Sequence, residues 1–144
     1  MSWNAKDSVA VVTGASSGIG KCLTQLLADH GCHVIAVARR AERINQWTPS
    51  ATAREFGGVT PLVGDITDEE IRSTIRSTIE TDHGGKLDLL VNNAGVLLPN
   101  FDVAPSGLEL TLATNLVGPL RLTASLIPRL RAGERSRIIW VSSG

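Results

Sequence analysis

These 144 residues predict a doubly wound α/β fold, a parallel sheet in the strand order 3-2-1-4-5 with helices on both faces, residues 1–144 forming a single domain. Three observations lead there. Short β-branched and aliphatic runs recur along the chain, each separated from the next by a segment of helical character. The runs are nearly continuously apolar, as a parallel sheet covered on both faces requires, and right-handed crossovers complete the winding. A glycine-rich turn joins the first run to the first helix, the place where such sheets receive phosphate groups.

The apolar runs span residues 9–12, 34–38, 59–63, 87–91 and 138–141. After the first run, Ile19, Cys22, Leu23, Leu26 and Leu27 line one face of a helix, and Gly31 is suited to end it. Thr67 and Glu70 have capping-box spacing, with Ile66 and Ile71 placed as a hydrophobic staple. Ile71, Ile75 and Ile79 then make a stripe for the sheet, while Arg72, Arg76 and Glu80 are expected to face water. Ser106 and Glu109 repeat the capping box ahead of a long helix. That helix carries Leu112, Leu116, Leu120 and Ile127 on one side and Leu110, Ala113, Val117 and Ala124 on another, so it needs partners on two faces.

Composition narrows the function. Lys plus Arg balance Asp plus Glu at 14 each, which gives no general attraction to nucleic acid or an acidic membrane surface. Cys22 and Cys32 do not make a disulfide framework, and no secretory apolar region follows Met1, so a reducing cytoplasm is the expected setting. No apolar run approaches the roughly 18 residues of a membrane span. His30, His33 and His83 lack ligand spacing, and no metal site is expected. Arg129, Arg131, Arg135 and Arg137 gather where cations suit the end of a helix, and Trp3, Trp47 and Trp140 are too scattered to stack bases.

The chemistry begins at Thr13-Gly14-Ala15-Ser16-Ser17-Gly18-Ile19-Gly20. Glycines here permit a tight turn, let backbone N–H groups approach a pyrophosphate and let the helix pack close to the strand. The helix N-terminus adds unpaired donors and the positive end of its dipole. Gly14, Ser16, Ser17, Gly18, Ile19 and Gly20 are therefore the first candidates for a nucleotide site in a Rossmann-like fold. An acidic residue about 20 positions further on would accept the ribose hydroxyls of NAD. The stretch there reads Ala38-Arg39-Arg40, and a guanidinium bonds phosphate in a bidentate, charge-assisted way. Arg39 is the candidate for the 2′-phosphate, and NADP is expected over NAD; Arg40 fits a solvated helix face with Glu42 and Arg43.

The spacing Gly14-xxx-Gly18-x-Gly20 differs from the commoner Gly-x-Gly-xx-Gly and resembles the short-chain dehydrogenase/reductase family. Asp65-x-Thr67 after the third run, Asn92-Asn93-Ala94-Gly95 after the fourth, Asn115 in the long helix and Ser142-Ser143 after the fifth fall in that family's order, so the resemblance covers the whole chain. It implies that Asp65 bonds the adenine amino group, that the backbone of Ile66 lies beside the ring, and that Asn92, Ala94 and Gly95 line the nucleotide near its ribose. It also implies hydride transfer between nicotinamide and a carbonyl or alcohol substrate, with Ser143 polarising the substrate oxygen and Asn115 in a proton relay. Asn115 has a physical argument of its own: Pro119 lacks an N–H, which in an unbroken helix would leave the carbonyl four residues earlier without its donor.

The family's acid/base Tyr and its Lys would follow Ser143, and the sequence contains no tyrosine. Losing that pair costs on the order of 10² to 10⁴ in rate, so this chain alone is expected not to turn over. The family's last strands and helices are expected to be missing too, leaving residues 137–142 as an apolar edge and the long helix with an uncovered face. Such surfaces invite a complementing C-terminal half or a second copy. Two function classes stay open: an NADP-dependent reductase or dehydrogenase represented by its cofactor-binding part, and a non-catalytic NADP-binding module or piece of a split enzyme. A methyltransferase on a similar sheet accounts poorly for the Asn-Asn-Ala-Gly and Ser-Ser segments.

Overall fold

The structure is a computed structural model and describes residues 3–45 and 57–142. Strands β1 (Val9–Thr13), β2 (His33–Ala38), β3 (Gly58–Val63), β4 (Leu89–Asn92) and β5 (Arg137–Trp140) form a sheet in the order β3-β2-β1-β4-β5. Every pairing is parallel, with Val11 beside Ile35 on one side and Leu90 on the other. The alternation of a strand divides its side chains between two cores. Val11, Ile35 and Leu90 point to one, filled by Ile75, Ile79, Leu122 and Leu126. Val12, Val34 and Val91 point to the other, under Leu27 and Ala28. Below the sheet, the Asp88 carboxylate accepts the Val9 N–H at 2.9 Å and fixes the start of β1 against β4.

Helix α1 (Gly18–Asp29) follows the first turn, and α2 (Ala41–Asn45) follows β2. The buried residues of α1 are Gly20, Thr24, Leu27 and Ala28, whereas Ile19 and Leu26 are 63% and 55% exposed. Of the expected face, Leu27 is buried and Leu23 packs against the same core, whereas Ile19, Cys22 and Leu26 are turned outward. Small side chains let α1 lie close on the sheet, and that closeness outweighs the bulk of the larger residues.

Helix α3 (Glu69–His83) buries Ile71, Ile75 and Ile79 as expected, and Ile66 joins Ile71 in the same core. Two expectations about its first turn are corrected. The N-cap is Asp68, and Thr67 stands outside the helix, its N–H and hydroxyl both donating to Asp65 Oδ1 at 2.9 Å. The tighter local ring to Asp65 takes the hydroxyl away from the helix. Arg72 is buried and does not face water, its guanidinium held by Glu69 and by the Ile66 carbonyl.

The long helix has three parts: α4 (Leu110–Leu112), a π-helical turn (Ala113–Val117) and α5 (Gly118–Ala132). Its cap is Glu109, whose carboxylate accepts the N–H groups of Thr111 and Leu112, so the Ser106 box is not used. An ionised carboxylate at the positive helix end is the stronger acceptor. Those two bonds also hold the Glu109 carboxyl below the usual carboxylate range. The stripe laid on the sheet is Leu122, Leu126 and Leu130, while Leu112, Leu116 and Leu120 are exposed. By length and mean hydropathy Leu110–Ala132 is also long and apolar enough to cross a membrane, which reading the runs singly did not reveal. Its buried stripe belongs to the sheet core instead.

Beyond β4, strand β5 is a sheet edge with all four residues exposed. Ile138, Ile139 and Trp140 lie bare there, as expected.

Candidate nucleotide-binding site

A cavity of about 410 Å³ opens at the carboxyl ends of the central strands. Its walls come from the turn after β1, the ends of β2 and β3, and the loop after β4. The volume lies within the range of small-molecule sites.

One hydroxyl sets the spacing of the central walls. Thr13 Oγ1 accepts the N–H groups of Asn93 and Ala94, both at 3.0 Å, and donates to the Val91 carbonyl. The Asn93 amide donates to the carbonyls of Thr13 and Gly14. Gly14 has φ +65°, and a Cβ there would stand 2.9 Å from Ala94 Cα. A Cβ on Gly20 would meet the Gly14 carbonyl oxygen at 2.3 Å. Glycine is required at both positions, one for the turn and its contact, the other for the approach of α1.

Ser17 is the N-cap of α1 but makes no side-chain cap hydrogen bond, and no acidic residue lies in the first turn. Among the described residues, the opening amides of α1 therefore have no side-chain acceptor of their own. Gly18, at φ +54°, lines the cavity, and a Cβ on it would enter open space. Across the cavity stand Arg39 and Arg40, with the Asp65 carboxylate at the end of β3. Thr67 occupies Asp65 Oδ1. An uncapped helix N-terminus, two guanidinium groups and one oriented carboxylate suit a phosphorylated nucleotide with a hydrogen-bonding base. At the wall beside Asn115, the buried hydroxyl of Thr114 has no hydrogen-bond partner among the described residues.

Of the expected nucleotide residues, Gly14, Ser16, Ser17, Gly18, Ile19, Arg39, Asp65, Ile66, Ala94 and Gly95 line the cavity. Two do not. Gly20 lies behind the turn, where its lack of a side chain serves packing. Asn92, the last residue of β4, points to the opposite face, its amide donating to Thr123 Oγ1 at 3.0 Å. Strand alternation puts Asn93 on the cavity side instead. Arg40, expected on a solvated helix face, precedes α2 and joins the cavity wall. Ser143 and Trp47 lie outside the described residues.

Asn115 sits in the π turn, and its side chain clamps the loop after β4. Its Oδ1 accepts the Val96 N–H at 2.7 Å and its amide donates to the Val96 carbonyl at 2.8 Å. The expected interruption by Pro119 takes the form of this turn, in which the Gly118 N–H reaches back five residues to Ala113. Sequence reasoning passed over Asn93, Val96 and Thr114, which line the cavity, and the bracing role of Thr13. The pair Asn92-Asn93 signalled that an asparagine would matter; Thr114 gave no signal.

The family model described as short chain dehydrogenase matches residues 8–144. A tropinone reductase homolog from Arabidopsis thaliana is 32% identical over 147 residues, covering 98% of this chain and 53% of that protein. A probable oxidoreductase from Streptomyces antibioticus is 39% identical over 140 residues, covering 94% of this chain and 45% of that one. The chain thus spans about half the length of the curated relatives it matches. Among solved structures, a metagenomic short-chain oxidoreductase in complex with NADP superposes with a TM-score of 0.78 at 31% identity, over 96% of this chain and 63% of that one. L-Sorbose reductase from Gluconobacter frateurii, complexed with NADPH and L-sorbose, gives 0.80 at 27% identity, over 97% and 54%. The glycine turn, the parallel sheet around it and a family match running to the last residue agree: the chain belongs to the short-chain dehydrogenase family.

Proposed function

We propose that this chain is the cofactor-binding part of an NADP-dependent oxidoreductase that transfers hydride between nicotinamide and a carbonyl or alcohol substrate. The observation that carries NADP over NAD is the pair Arg39 and Arg40 at the end of β2, facing the same cavity as the uncapped start of α1. The NADP and NADPH complexes of the two similar structures support the same reading.

In this assignment the opening amides of α1 take the pyrophosphate, with Ser16 and Ser17 beside it, and Arg39 takes the 2′-phosphate. Asp65 accepts from the adenine amino group while Ile66 flanks the ring. Ala94 and Gly95 bound the ribose, and Asn115 holds their loop through Val96. The cofactor, when bound, supplies or accepts the hydride. Ser143 is assigned the substrate oxygen. The acid/base group must come from outside these residues, which include no tyrosine.

That same lack of tyrosine supports a second reading, a non-catalytic NADP-binding module or one piece of a split enzyme. The bare edge of β5 and the exposed Leu112, Leu116 and Leu120 are surfaces on which a complementing half or a second copy would sit. Reductase activity on mixing with a chain that carries Tyr-xxx-Lys favours the first reading or the split enzyme, and NADPH binding without such activity favours the non-catalytic module.

The cofactor assignment is tested by Arg39→Asp. Removing a charge-assisted phosphate contact is expected to weaken NADPH binding about tenfold or more while NADH binding holds or improves. An unchanged NADPH to NADH affinity ratio removes Arg39 from this role, and the same change at Arg40 then shows whether the neighbouring guanidinium carries it.

A further inference from the structure

The least expected side chain beside the cavity is one that never reaches it. Arg72, in the first turn of α3, is 4% exposed, yet the helical pattern puts it among water-facing residues. A guanidinium buried at such a place needs partners that repay its desolvation. Its Nη1 donates to the Ile66 carbonyl at 2.7 Å, a buried bond. Its Nε and Nη2 both donate to Glu69 Oε2, at 3.1 and 2.9 Å, and Glu69 is itself 65% exposed. The anchor is therefore at the surface and the cargo is inside: Glu69 aims the fork, and the fork holds one backbone carbonyl.

That carbonyl belongs to the short strap between β3 and α3 that lines the cavity. Ile66 and its neighbour Asp65 both face the cavity. Thr67 ties Asp65 from the far side of the strap. The same carbonyl lies close to Gly118, where a Cβ would stand 3.4 Å from the Ile66 oxygen and 3.0 Å from the Ala113 oxygen. The Ile66 carbonyl is thus held by the Arg72 fork and packed close to the bare backbone at the start of α5. That carbonyl shares its peptide with the Thr67 N–H, so rotation of the peptide would break the Arg72 bond and also withdraw the Thr67 N–H that orients the Asp65 carboxylate.

We infer that Arg72 is a positioning residue for base recognition: by holding the Ile66 carbonyl it fixes Asp65 and Ile66 in the orientation that discriminates the adenine ring. The inference rests on the nucleotide reading given above and adds a specificity determinant that does not itself contact the ligand. A residue of this kind has a signature that mere stabilisation lacks. General loosening weakens all ligands of the cavity alike, whereas loss of the strap's orientation weakens adenine ligands selectively.

The test compares NADPH with its deamino analogue, in which a 6-oxo group replaces the adenine 6-amino group, by titration of the 144-residue chain, of Arg72→Met and of Glu69→Gln. The unsubstituted chain is expected to prefer NADPH about tenfold, the worth of one hydrogen bond to a charged acceptor. Arg72→Met is expected to bring that ratio close to one by weakening NADPH more than the analogue. Glu69→Gln, a surface change that weakens the carboxylate aiming the fork and so loosens its hold on the Ile66 carbonyl, is expected to lower the ratio part of the way. It decides the question alone should Arg72→Met not fold, and an unchanged ratio in it then overturns the inference. Equal losses for both ligands in Arg72→Met overturn it as well, as does a ratio of one in the unsubstituted chain. Failure of the unsubstituted chain to bind NADPH at all is a different result: it removes the nucleotide reading itself, and this inference with it.

Discussion

Thr13 shows how much of the site depends on one small side chain. Its hydroxyl is fully buried and satisfies two N–H groups of the loop after β4 while donating to a carbonyl of that strand. Thr13→Val keeps the shape and removes all three bonds, leaving two partly buried backbone donors unpaired. A loss of about 2 kcal/mol is expected in urea denaturation, with NADPH binding weakened as well; a variant as stable as the parent contradicts the bracing role. At this scale the sequence was a mixed guide. The glycine turn was readable because tight turns and close approach leave few choices of residue. Asn92 and Asn93 were not separable, because a shift of one residue in where β4 ends exchanges their faces. Arg72 was misread because periodicity cannot show that a neighbouring carbonyl and Glu69 would receive a buried guanidinium.

The helices make the same point at the next scale. Strand positions were legible since five nearly continuous apolar runs admit few alternatives, but helix faces were not. In the long helix a leucine lies on almost every side, and the π turn rotates the residues after Val117 relative to those before it. The face actually used can be checked with a pair of substitutions. Leu126→Ala, at a fully buried position, is expected to cost about 3 kcal/mol, and Leu120→Ala, half exposed, no more than about 0.5. Equal costs would mean that the helix is turned otherwise. Helix α3 carries a pH dependence at its far end. The His83 ring lies 5.6 Å from that of His33 at the start of β2, and burial, then the His33 charge, lowers the pKa of His83 against a smaller opposing effect of Asp82. With the folded value below the ordinary 6.5, this histidine's contribution is intact above that pH and lost as pH falls through and beneath it. The carboxyls of Glu69 and Glu109 are both lowered from 4.5, so their contributions fade only in stronger acid. Urea midpoints are therefore expected to drop between pH 7.5 and 5.5, and His83→Gln to flatten that drop; an equally steep drop in the variant would assign it elsewhere.

Across the whole molecule, the parallel order β3-β2-β1-β4-β5 brings turns far apart in sequence to one end of the sheet, and the cavity forms there. That the sheet is doubly wound was legible because right-handed crossovers and a glycine turn after the first strand leave little freedom in how such a sheet is built, and the family resemblance added the order. What the chain meets along β5 was not, since an exposed edge states a need without naming what fills it. The proposed function rests on the cavity, where the uncapped start of α1 and the guanidinium groups of Arg39 and Arg40 are proposed to take the phosphates of NADPH. Isothermal calorimetry with NADPH and NADH on the purified chain tests it most directly. Saturable binding of one NADPH per chain, tighter than NADH and weakened by added salt, is the predicted result. Heat that never saturates, or NADH held as tightly as NADPH, would contradict it.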